Sequence, residues 1–335
     1  MPPTLDFAEI LAAEARRSGI RPVIFYSPER VLFEAPEVVS PSDAMAIART
    51  EIAAAEVCDG YVVLSAGPDD LKRREMLPAA HRRALSQREH DWGQTLSRNS
   101  VPSVLLLAAS ATRSGAEEYG VDFGAWQRES FRSSLVDPAA LRHAAGPISK
   151  LLHRGRSLTI THSNGSHLQL KLLGRKPIVD DGMVDARDLA QGRNWTSVPS
   201  GFLMVAVDEG AAEGKFVSNR PSRHRRGIIR GVTWTFRDGR LARCEIERGR
   251  TIFESSYQQA GRERNRPALF SIGLNPAIQD FPFAEDQERG VVTLYIGCND
   301  DLGGRTHGTY RDYALLRGAD VSVDDQLILR DGRLV

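Results

Sequence analysis

The spacing of hydrophobic residues changes about halfway along the chain. In the first half, helical periodicity alternates with short apolar runs. The pattern predicts helices at residues 5–17 and 41–56 and strands at 23–26, 61–65 and 104–108. The last two strands are apolar at nearly every position, which is typical of parallel strands buried on both faces. This half of the chain therefore indicates a small α/β lobe with a parallel sheet.

From Ser157 onward, apolar and polar residues alternate with a period of two, as in half-buried strands. Residues 158–161 and 168–172 flank Asn164-Gly165, a dipeptide typical of tight hairpin turns. Further strands are predicted at 202–207, 216–218, 228–236, 241–246, 291–296 and 319–328, with hairpin turns at Asp238-Gly239 and Asp331-Gly332. This half of the chain is therefore predicted to be rich in strands.

The length of 335 residues exceeds the roughly 250 to 300 residues that one hydrophobic core usually serves. We therefore predict an α/β protein of two domains. The N-terminal α/β lobe is expected at residues 1–150 and a larger strand-rich domain at 151–335, with the boundary near Pro147 to Arg156.

Composition and charge exclude several classes of protein. The 44 basic and 43 acidic residues give a net charge of +1, which argues against a nucleic-acid partner. Three widely spaced cysteines indicate neither a disulfide framework nor a zinc ribbon and favour a reducing cytoplasm. No apolar run reaches the roughly 20 residues of a membrane helix. Glycine-rich phosphate loops are absent, so no nucleotide or other cofactor is predicted.

The segment from Gly303 to Asp312 looks like a metal-binding loop that has lost a ligand. Such loops often carry His-x-Asp, which supplies two donors from one short segment. Here the triplet reads Tyr310-Arg311-Asp312. A neutral phenol seldom replaces an imidazole, and the arginine would add positive charge beside a cation. The loop therefore predicts a metal-site scaffold without its metal chemistry.

Several stretches, in this order along the last half of the chain, resemble the aminopeptidase T family of metallopeptidases and the related 2,5-dihydroxypyridine dioxygenases. They are Leu158–Leu173, Val198–Phe202, Glu209–Gly214, Ser271–Pro276, Ile296–Asn299, Leu302–Gly304 and Val323–Gly332. The resemblance implies an aminopeptidase-T-like fold for the strand-rich domain.

The resemblance also implies five metal ligands, of which this sequence keeps one. The two glutamate positions hold Phe202 and Leu269, and the two histidine positions hold Thr293 and Tyr310, so only Asp312 remains. A catalytic zinc needs about three protein ligands, and a non-haem iron typically needs two histidines and a carboxylate. We therefore expect no bound metal.

A scaffold of this kind that has lost its metal ligands can still bind a peptide, for instance by strand addition at a sheet edge. The chain also resembles the peptide-binding accessory proteins of crocagin-type ribosomal peptide biosynthesis. We therefore expect a cytoplasmic, non-enzymatic protein that binds a precursor peptide and guides its modification, as a homodimer or a heterodimer with a paralogue. The predicted peptide-binding residues are Phe202, Arg223, Arg225, Arg226, Trp234, Thr293 and Tyr310.

Two alternatives remain open. The chain could be a repurposed, metal-independent enzyme that cyclises or hydrolyses a peptide, with His307, Tyr310 and Asp312 in acid–base roles. It could also be a metal-dependent aminopeptidase or dioxygenase with unusual ligands. The arginines near residue 223 could equally be a solvated loop rather than a binding surface.

Overall fold

A computed structural model describes residues 3–25, 30–64, 76–224, 227–258, 260–279, 282 and 284–335. Contacts divide the chain into two compact units. The first comprises Met1–Phe123 and Met183–Val198, and the second comprises Gly124–Gly182 and Pro199–Val335. Within the described residues, no helix is both long and apolar enough to cross a membrane.

The first unit combines short helices with a small parallel sheet. Its helices are α1 (Pro3–Arg17), α2 (Arg30–Glu34), α3 (Pro41–Met45), α4 (Arg49–Val57), α5 (Ala79–Arg98), α6 (Arg113–Tyr119) and α9 (Ala186–Ala190). Its sheet has the order β1 (Tyr61–Leu64), β2 (Ser103–Leu106) and β6 (Trp195–Val198), and both pairings are parallel. The two predicted strands are thus confirmed as parallel neighbours, and the third comes from a distant part of the sequence. The prediction that they are buried on both faces is wrong, because Val62 and Leu105 are 48% and 38% exposed.

Two other predictions for the first unit are wrong. Residues 23–25 form no strand, and Val23 is 75% exposed, so the apolar run has no partner strand. Tyr26 and Ser65 lie outside the described residues. The segment 41–56, predicted as one helix, forms two helices, because the backbone is extended at Ala46 and Ala48. The second helix, α4, begins where the Glu51 carboxylate accepts a hydrogen bond from the Ala48 N–H at 3.0 Å.

The described part of the second unit contains two sheets and three α-helices. The helices are α7 (Phe123–Ser134), α8 (Pro138–Arg154) and α10 (Arg250–Tyr257). The strands are β3 (Ser157–His162), β4 (Ser166–Lys171), β5 (Ile178–Asp180), β7 (Phe202–Ala206), β8 (Ala212–Val217), β9 (Ser222–His224), β10 (Gly227–Arg237), β11 (Arg240–Arg248), β12 (Pro267–Gly273), β13 (Val292–Gly297), β14 (Arg311–Leu316), β15 (Asp320–Val323), β16 (Gln326–Arg330) and β17 (Arg333–Leu334).

The nine-stranded sheet has the order β11-β10-β8-β4-β3-β15-β16-β17, and β9 pairs with β10 beside this path. The five-stranded sheet has the order β14-β13-β12-β7-β5, with every pairing antiparallel. The predicted hairpin at Asn164-Gly165 is confirmed, with Thr161 opposite His167. The predicted strands from residue 202 onward are confirmed too, except that 319–328 is a hairpin of two strands, β15 and β16, that turns at Asp324-Asp325.

The main core lies between the two sheets. Side chains of the nine-stranded sheet, such as Phe216 and Phe236, share this core with Phe270 and Leu294 of the five-stranded sheet. One face of helix α8 packs into this core through buried side chains that include Leu152. Because of this packing, the segment 147–156, where the domain boundary was predicted, lies inside the second unit. The face of the five-stranded sheet that points into this core is called its inner face below.

The opposite face of the five-stranded sheet, its outer face, is also buried. A second hydrophobic cluster covers it and includes Met204, Leu269 and Tyr295. Every residue of β7, β12 and β13 is therefore buried. Buried polar groups normally find partners within the protein, but the hydroxyls of Ser271 and Thr293, which lie opposite each other on β12 and β13, have none among the described residues.

The buried Glu209 carboxylate fixes the loop that precedes β14. Its Oε1 accepts hydrogen bonds from Arg175 Nη1 at 2.8 Å, Asn299 Nδ2 at 2.9 Å and the Arg305 N–H at 2.8 Å. Burial alone would raise the pKa of Glu209, but these hydrogen bonds outweigh it and lower the pKa to about 2. The residues around Gly304 are thereby tied to the turn between β7 and β8.

Replacing Glu209 with glutamine is expected to lower the free energy of unfolding by about 3 kcal/mol, because the buried Arg175 guanidinium loses its charged partner. Urea unfolding at pH 7 measures the change. Glu213→Gln is a suitable control, since this exposed carboxylate accepts one hydrogen bond at 3.2 Å, from the Asp238 N–H. Equal unfolding midpoints for the two variants would contradict the role given to Glu209.

The Glu209 carboxylate also predicts that the folded protein loses stability at low pH. Its pKa is about 2 in the folded state against an ordinary value of 4.5. Its stabilisation is therefore complete above pH 4.5 and is lost as the pH falls towards 2. In the Glu209→Gln variant this part of the pH dependence is expected to disappear.

Candidate functional site

Three of the expected ligand positions lie together on the outer face of the five-stranded sheet. Phe202 begins β7 opposite Gly273, Leu269 of β12 lies opposite Ala206, and Thr293 of β13 lies opposite Ser271. The side chains are 5%, 0% and 0% exposed, respectively. These three positions therefore lie on one face of the sheet. Their side chains are a phenyl ring, an aliphatic group and a hydroxyl.

Asp312, the one expected ligand that remains, lies on the inner face of the same sheet. It pairs with Ile296, whose side chain belongs to the core between the sheets, whereas its neighbour Tyr313 packs on the outer face. Successive residues of a strand point to opposite faces, so Asp312 is separated from Phe202 and Thr293 by the sheet. The five positions do not form one pocket.

The outer face holds an internal ion pair. Arg223 Nη1 donates to Glu285 Oε1 at 3.0 Å, and both side chains are almost fully buried. Tyr313 donates its hydroxyl to the Arg223 carbonyl at 2.8 Å, and Tyr295 donates to Asp286 at 2.8 Å. Burial raises the pKa of Glu285 to about 7, although the Arg223 charge opposes this rise. The buried positive charge on the outer face is therefore that of the Arg223 guanidinium.

These residues do not fit a metal ion. Within the described parts of the chain, no three His, Cys, Asp or Glu side chains lie close enough together to hold one. On the outer face, Ser271 and Thr293 supply only hydroxyls, which are weak donors compared with imidazole and carboxylate. The donor set of an aminopeptidase or a non-haem dioxygenase is therefore not reproduced.

Three polar side chains meet at the start of β14, an edge strand of the five-stranded sheet, where His224 also packs against the Tyr313 ring with centroids 5.1 Å apart. Tyr310 Oη donates to Asp312 Oδ2 at 3.4 Å, and His224 Nε2 lies 3.6 Å from Asp312 Oδ1. The Tyr313 N–H also donates to Asp312 Oδ1, at 2.7 Å. Burial raises the pKa of Asp312 to about 7 and lowers the pKa of His224 to about 4. At neutral pH the imidazole is uncharged, and the carboxyl group is poised between its two protonation states.

Aromatic and basic side chains surround this group. Tyr257 of α10 contacts the Tyr310 ring edge-on, with centroids 5.9 Å apart, and Arg264 lies 5.0 Å over the Tyr257 ring. Cys244 of β11 is close enough to influence Tyr310 and Asp312 electrostatically. Tyr257, Tyr310, His224 and Arg264 are all partly exposed. We call His224, Tyr257, Arg264, Tyr310 and Asp312 the tyrosine–aspartate site.

The structure separates His307 from the predicted acid–base group. Its side chain is 80% exposed, and its Nδ1 lies 2.8 Å from Asp300 Oδ2 rather than beside Asp312. Asp300 and His307 belong to one loop, so this contact is local. The position beside Asp312 is taken by His224, which comes from β9.

The predicted peptide-binding residues fall into three groups. Trp234, Phe202 and Thr293 are at most 5% exposed, so their burial removes them from any surface that a peptide could contact. Arg223 is buried and paired with Glu285. Arg225 and Arg226 lie outside the described residues. Of this set, Tyr310 alone is a described residue with a partly exposed side chain.

Sequence reasoning missed His224 and Tyr257 as members of the site. His224 stands among arginines in the sequence, which drew attention to charge rather than to the single imidazole. Tyr257 ends α10, and nothing local connects it with Tyr310. The strand alternation of β14 could have shown that Asp312 and Tyr313 face opposite ways.

Comparisons with solved structures identify the fold. AmpT from Thermus thermophilus superposes with a TM-score of 0.73 at 17% identity, over 99% of this chain and 91% of that chain. The 2,5-dihydroxypyridine dioxygenase of Pseudomonas putida KT2440 superposes with a TM-score of 0.52 at 16% identity, over 89% and 98%. No family model and no curated protein matches the sequence. The chain therefore has the AmpT fold, as the sequence resemblance implied.

Replacing Asp312 with asparagine is expected to stabilise the protein at high pH. Its carboxyl group has a pKa of about 7 when folded and an ordinary value of 3.8, so the folded state retains a proton that the unfolded chain releases. This group therefore weakens folding as the pH rises from 3.8 to 7. We expect Asp312→Asn to gain about 2 kcal/mol over the unmodified protein on going from pH 4 to pH 8, measured by urea unfolding.

The exposed turn residue Asp325 provides the control, because Asp325→Asn changes a carboxylate that is open to solvent. Asp325→Asn is expected to change the free energy of unfolding by no more than about 0.5 kcal/mol, as is usual for an exposed side chain. A pH-independent effect of Asp312→Asn would contradict the raised pKa.

Proposed function

We propose that this chain is a metal-independent peptide-binding protein built on the AmpT fold. One observation carries the proposal: within the described residues, no three His, Cys, Asp or Glu side chains lie close enough together to hold a metal ion. Positions 202, 269 and 293 carry a phenyl ring, an aliphatic group and a hydroxyl, which do not replace imidazole and carboxylate ligands. Binding is the function that such a scaffold can keep after its metal ligands are lost.

The chemistry of the tyrosine–aspartate site supports a peptide ligand. Tyrosine and arginine are enriched where proteins contact other chains, because each combines a large apolar surface with a polar end. The rings of Tyr257 and Tyr310 are partly exposed and meet edge-on, with an angle of 75° between their planes. Arg264 beside them donates Nη1 to the Ala260 carbonyl at 3.1 Å, and a guanidinium has five N–H donors, so it suits a ligand carboxylate as well.

In its narrower form, the proposal is that the ligand is a precursor peptide whose modification this protein guides in a ribosomal peptide natural-product pathway. The sequence resemblance to crocagin-type accessory proteins motivates this form. It requires a short peptide gene beside the gene for this chain, and that peptide is the ligand to test first.

The test measures binding of synthetic peptides, encoded by short reading frames next to this gene, by titration calorimetry. We expect micromolar or tighter affinity that is unchanged by a chelator. Tyr310→Ala is expected to weaken binding at least about tenfold through loss of ring contact, whereas Tyr310→Phe keeps most of the affinity. Absence of binding to every such peptide would overturn the narrower form.

Arg264→Ala is expected to reduce affinity most for peptides with an acidic side chain or a free carboxyl terminus. Arg333→Ala is the matched control, since Arg333 is exposed in β17, at the opposite end of the nine-stranded sheet from β11. Stoichiometric zinc or iron in the purified protein, measured by elemental analysis, would contradict metal independence itself.

The geometry also favours a second candidate, a metal-independent enzyme acting on a peptide. Asp312 has a pKa of about 7 and lies 3.6 Å from the neutral imidazole of His224. A carboxyl group that gains and loses a proton near neutral pH suits general acid–base catalysis, which contributes roughly 100- to 10,000-fold in rate. Cyclisation of a peptide and hydrolysis of a peptide bond both need such proton transfers.

Mass spectrometry of peptides incubated with chelator-treated protein tests this second candidate. If it holds, Asp312→Asn and His224→Ala each abolish product formation. His307→Ala leaves the rate unchanged, because His307 is bound to Asp300 away from the site. Product formation that depends on His307 but not on His224 would refute the assignment.

A further inference from the structure

A small cavity lies between helix α7 and the turn that follows β12, residues 274–279. Its volume is about 220 Å³, which is room for several water molecules or for one carboxylate side chain. The helix lines the cavity with Arg128, Glu129 and Arg132, and the turn lines it with Ala277 and Gln279. These residues all belong to the second unit, and none of them is part of the tyrosine–aspartate site.

The turn is fixed to the end of α7 by hydrogen bonds. The fully buried Asn275 donates its Nδ2 to the Ser133 carbonyl at 3.0 Å, and its Oδ1 accepts from the Ala277 N–H at 2.9 Å. The Glu129 carboxylate accepts a hydrogen bond from the Gln279 N–H. The cavity is therefore preformed, so a ligand does not have to order its walls on binding.

Two arginines on the helix wall have no carboxylate to pair with. Arg128 and Arg132 are exposed, and neither guanidinium has an ion-pair or hydrogen-bond partner among the described residues. They are four residues apart, a spacing at which like charges destabilise a helix. Arg132 lies in the last turn, where a positive charge is favourable, but Arg128 does not. The one carboxylate that lines the cavity, Glu129, is already bound to the turn.

Exposed apolar side chains lie beside these arginines. Phe131 is 69% exposed, and Leu135, which directly follows the helix, is 71% exposed. Their spacing of three and four residues from the two arginines places all four side chains on one side of the helix. Among the described residues of the second unit, the other exposed large apolar side chains are Leu173 and Val335. Exposed apolar groups that lie together in this way mark an interaction surface.

The combination of charge and apolar surface indicates the kind of ligand. Inorganic phosphate or a free carboxylate would pair with the arginines but would leave Phe131 and Leu135 in water. An acidic side chain on a polypeptide can satisfy both requirements, because its carboxylate reaches the guanidinium groups while a neighbouring apolar residue covers the phenyl ring.

We propose that α7 and the adjoining cavity form a docking site for an acidic, amphipathic helix of a partner protein. A carboxylate of the partner occupies the cavity and pairs with Arg128 and Arg132, and an apolar side chain one turn away packs on Phe131 and Leu135. A helix matches this surface, because its side chains repeat at the same spacing of three to four residues. This site shares no residue with the tyrosine–aspartate site, and it does not rest on the function proposed for that site.

Fluorescence anisotropy with a designed probe tests the proposal. The probe is a fluorescein-labelled synthetic helix that carries two glutamates four residues apart and two leucines four residues apart. We expect it to bind with a dissociation constant of about 100 µM or lower at low ionic strength, and more weakly as salt is added. A second probe, with glutamine in place of both glutamates, is expected to bind at least about tenfold more weakly.

Variants of the chain locate the bound probe. Arg128→Gln and Arg132→Gln are each expected to weaken binding about fivefold through loss of a charge-assisted contact, and Phe131→Ser by a similar factor. Arg154→Gln and Val335→Ser are the matched controls, because Arg154 is an exposed arginine at the end of α8 and Val335 is 71% exposed. Both controls are expected to keep the full affinity. Urea unfolding of each variant shows whether it is folded.

Several results would overturn the proposal. One is absence of binding of the glutamate probe at about 1 mM protein. Another is equal affinity for the two probes, or an affinity that Tyr310→Ala reduces and Arg128→Gln does not, since the probe would then occupy the tyrosine–aspartate site. Binding of inorganic phosphate without binding of the glutamate probe would show an adventitious ion only. Self-association in sedimentation experiments that Phe131→Ser abolishes would assign this surface to a second copy of the chain instead.

Discussion

Burial of the five-stranded sheet on both faces is the constraint on which the rest of the structure depends. Strands β7, β12 and β13 expose almost nothing, so a charged or polar group near them is costly unless the protein itself supplies a partner, and the Ser271 and Thr293 hydroxyls are left without one among the described residues. The Arg223–Glu285 pair and the Glu209 carboxylate meet this requirement. Asp312 meets it differently, because burial favours its neutral form and a tyrosine and a histidine lie beside it.

The same sheet separates two polar environments that the sequence places side by side. Asp312 and Tyr313 are adjacent, yet one faces the core between the sheets and the other faces Arg223 and the Glu285 segment. On the outer face the buried cation is the Arg223 guanidinium, which is paired with the Glu285 carboxylate. At the β14 edge of this sheet, a carboxyl group of nearly neutral pKa lies beside partly exposed tyrosine and histidine side chains. This edge is thus where the chain offers groups that a ligand could reach.

Period-two alternation was enough to predict most strands of the second unit, because one face of each strand is buried and the pattern repeats along it. The hairpin at Asn164-Gly165 followed from turn chemistry alone. The site could be predicted only in part. Tyr310 and Asp312 are two residues apart in the sequence, but His224 and Tyr257 come close to them only through tertiary packing. Likewise, nothing local distinguishes the apolar run at Val23, which remains exposed, from the run at Tyr61, which pairs.

The sheet order has a consequence for synthesis of the chain. Strand β3, the first of the second unit, has β15 as its neighbour, and the Asp324 carboxylate accepts hydrogen bonds from the Arg156 and Ser157 N–H groups. These partners are 167 and 168 residues apart. The pairing of β3 with β15 therefore cannot form until the chain has been synthesised through Val323. Until then β3 has an unpaired edge, and unpaired edges of sheets closed by distant segments favour aggregation during folding.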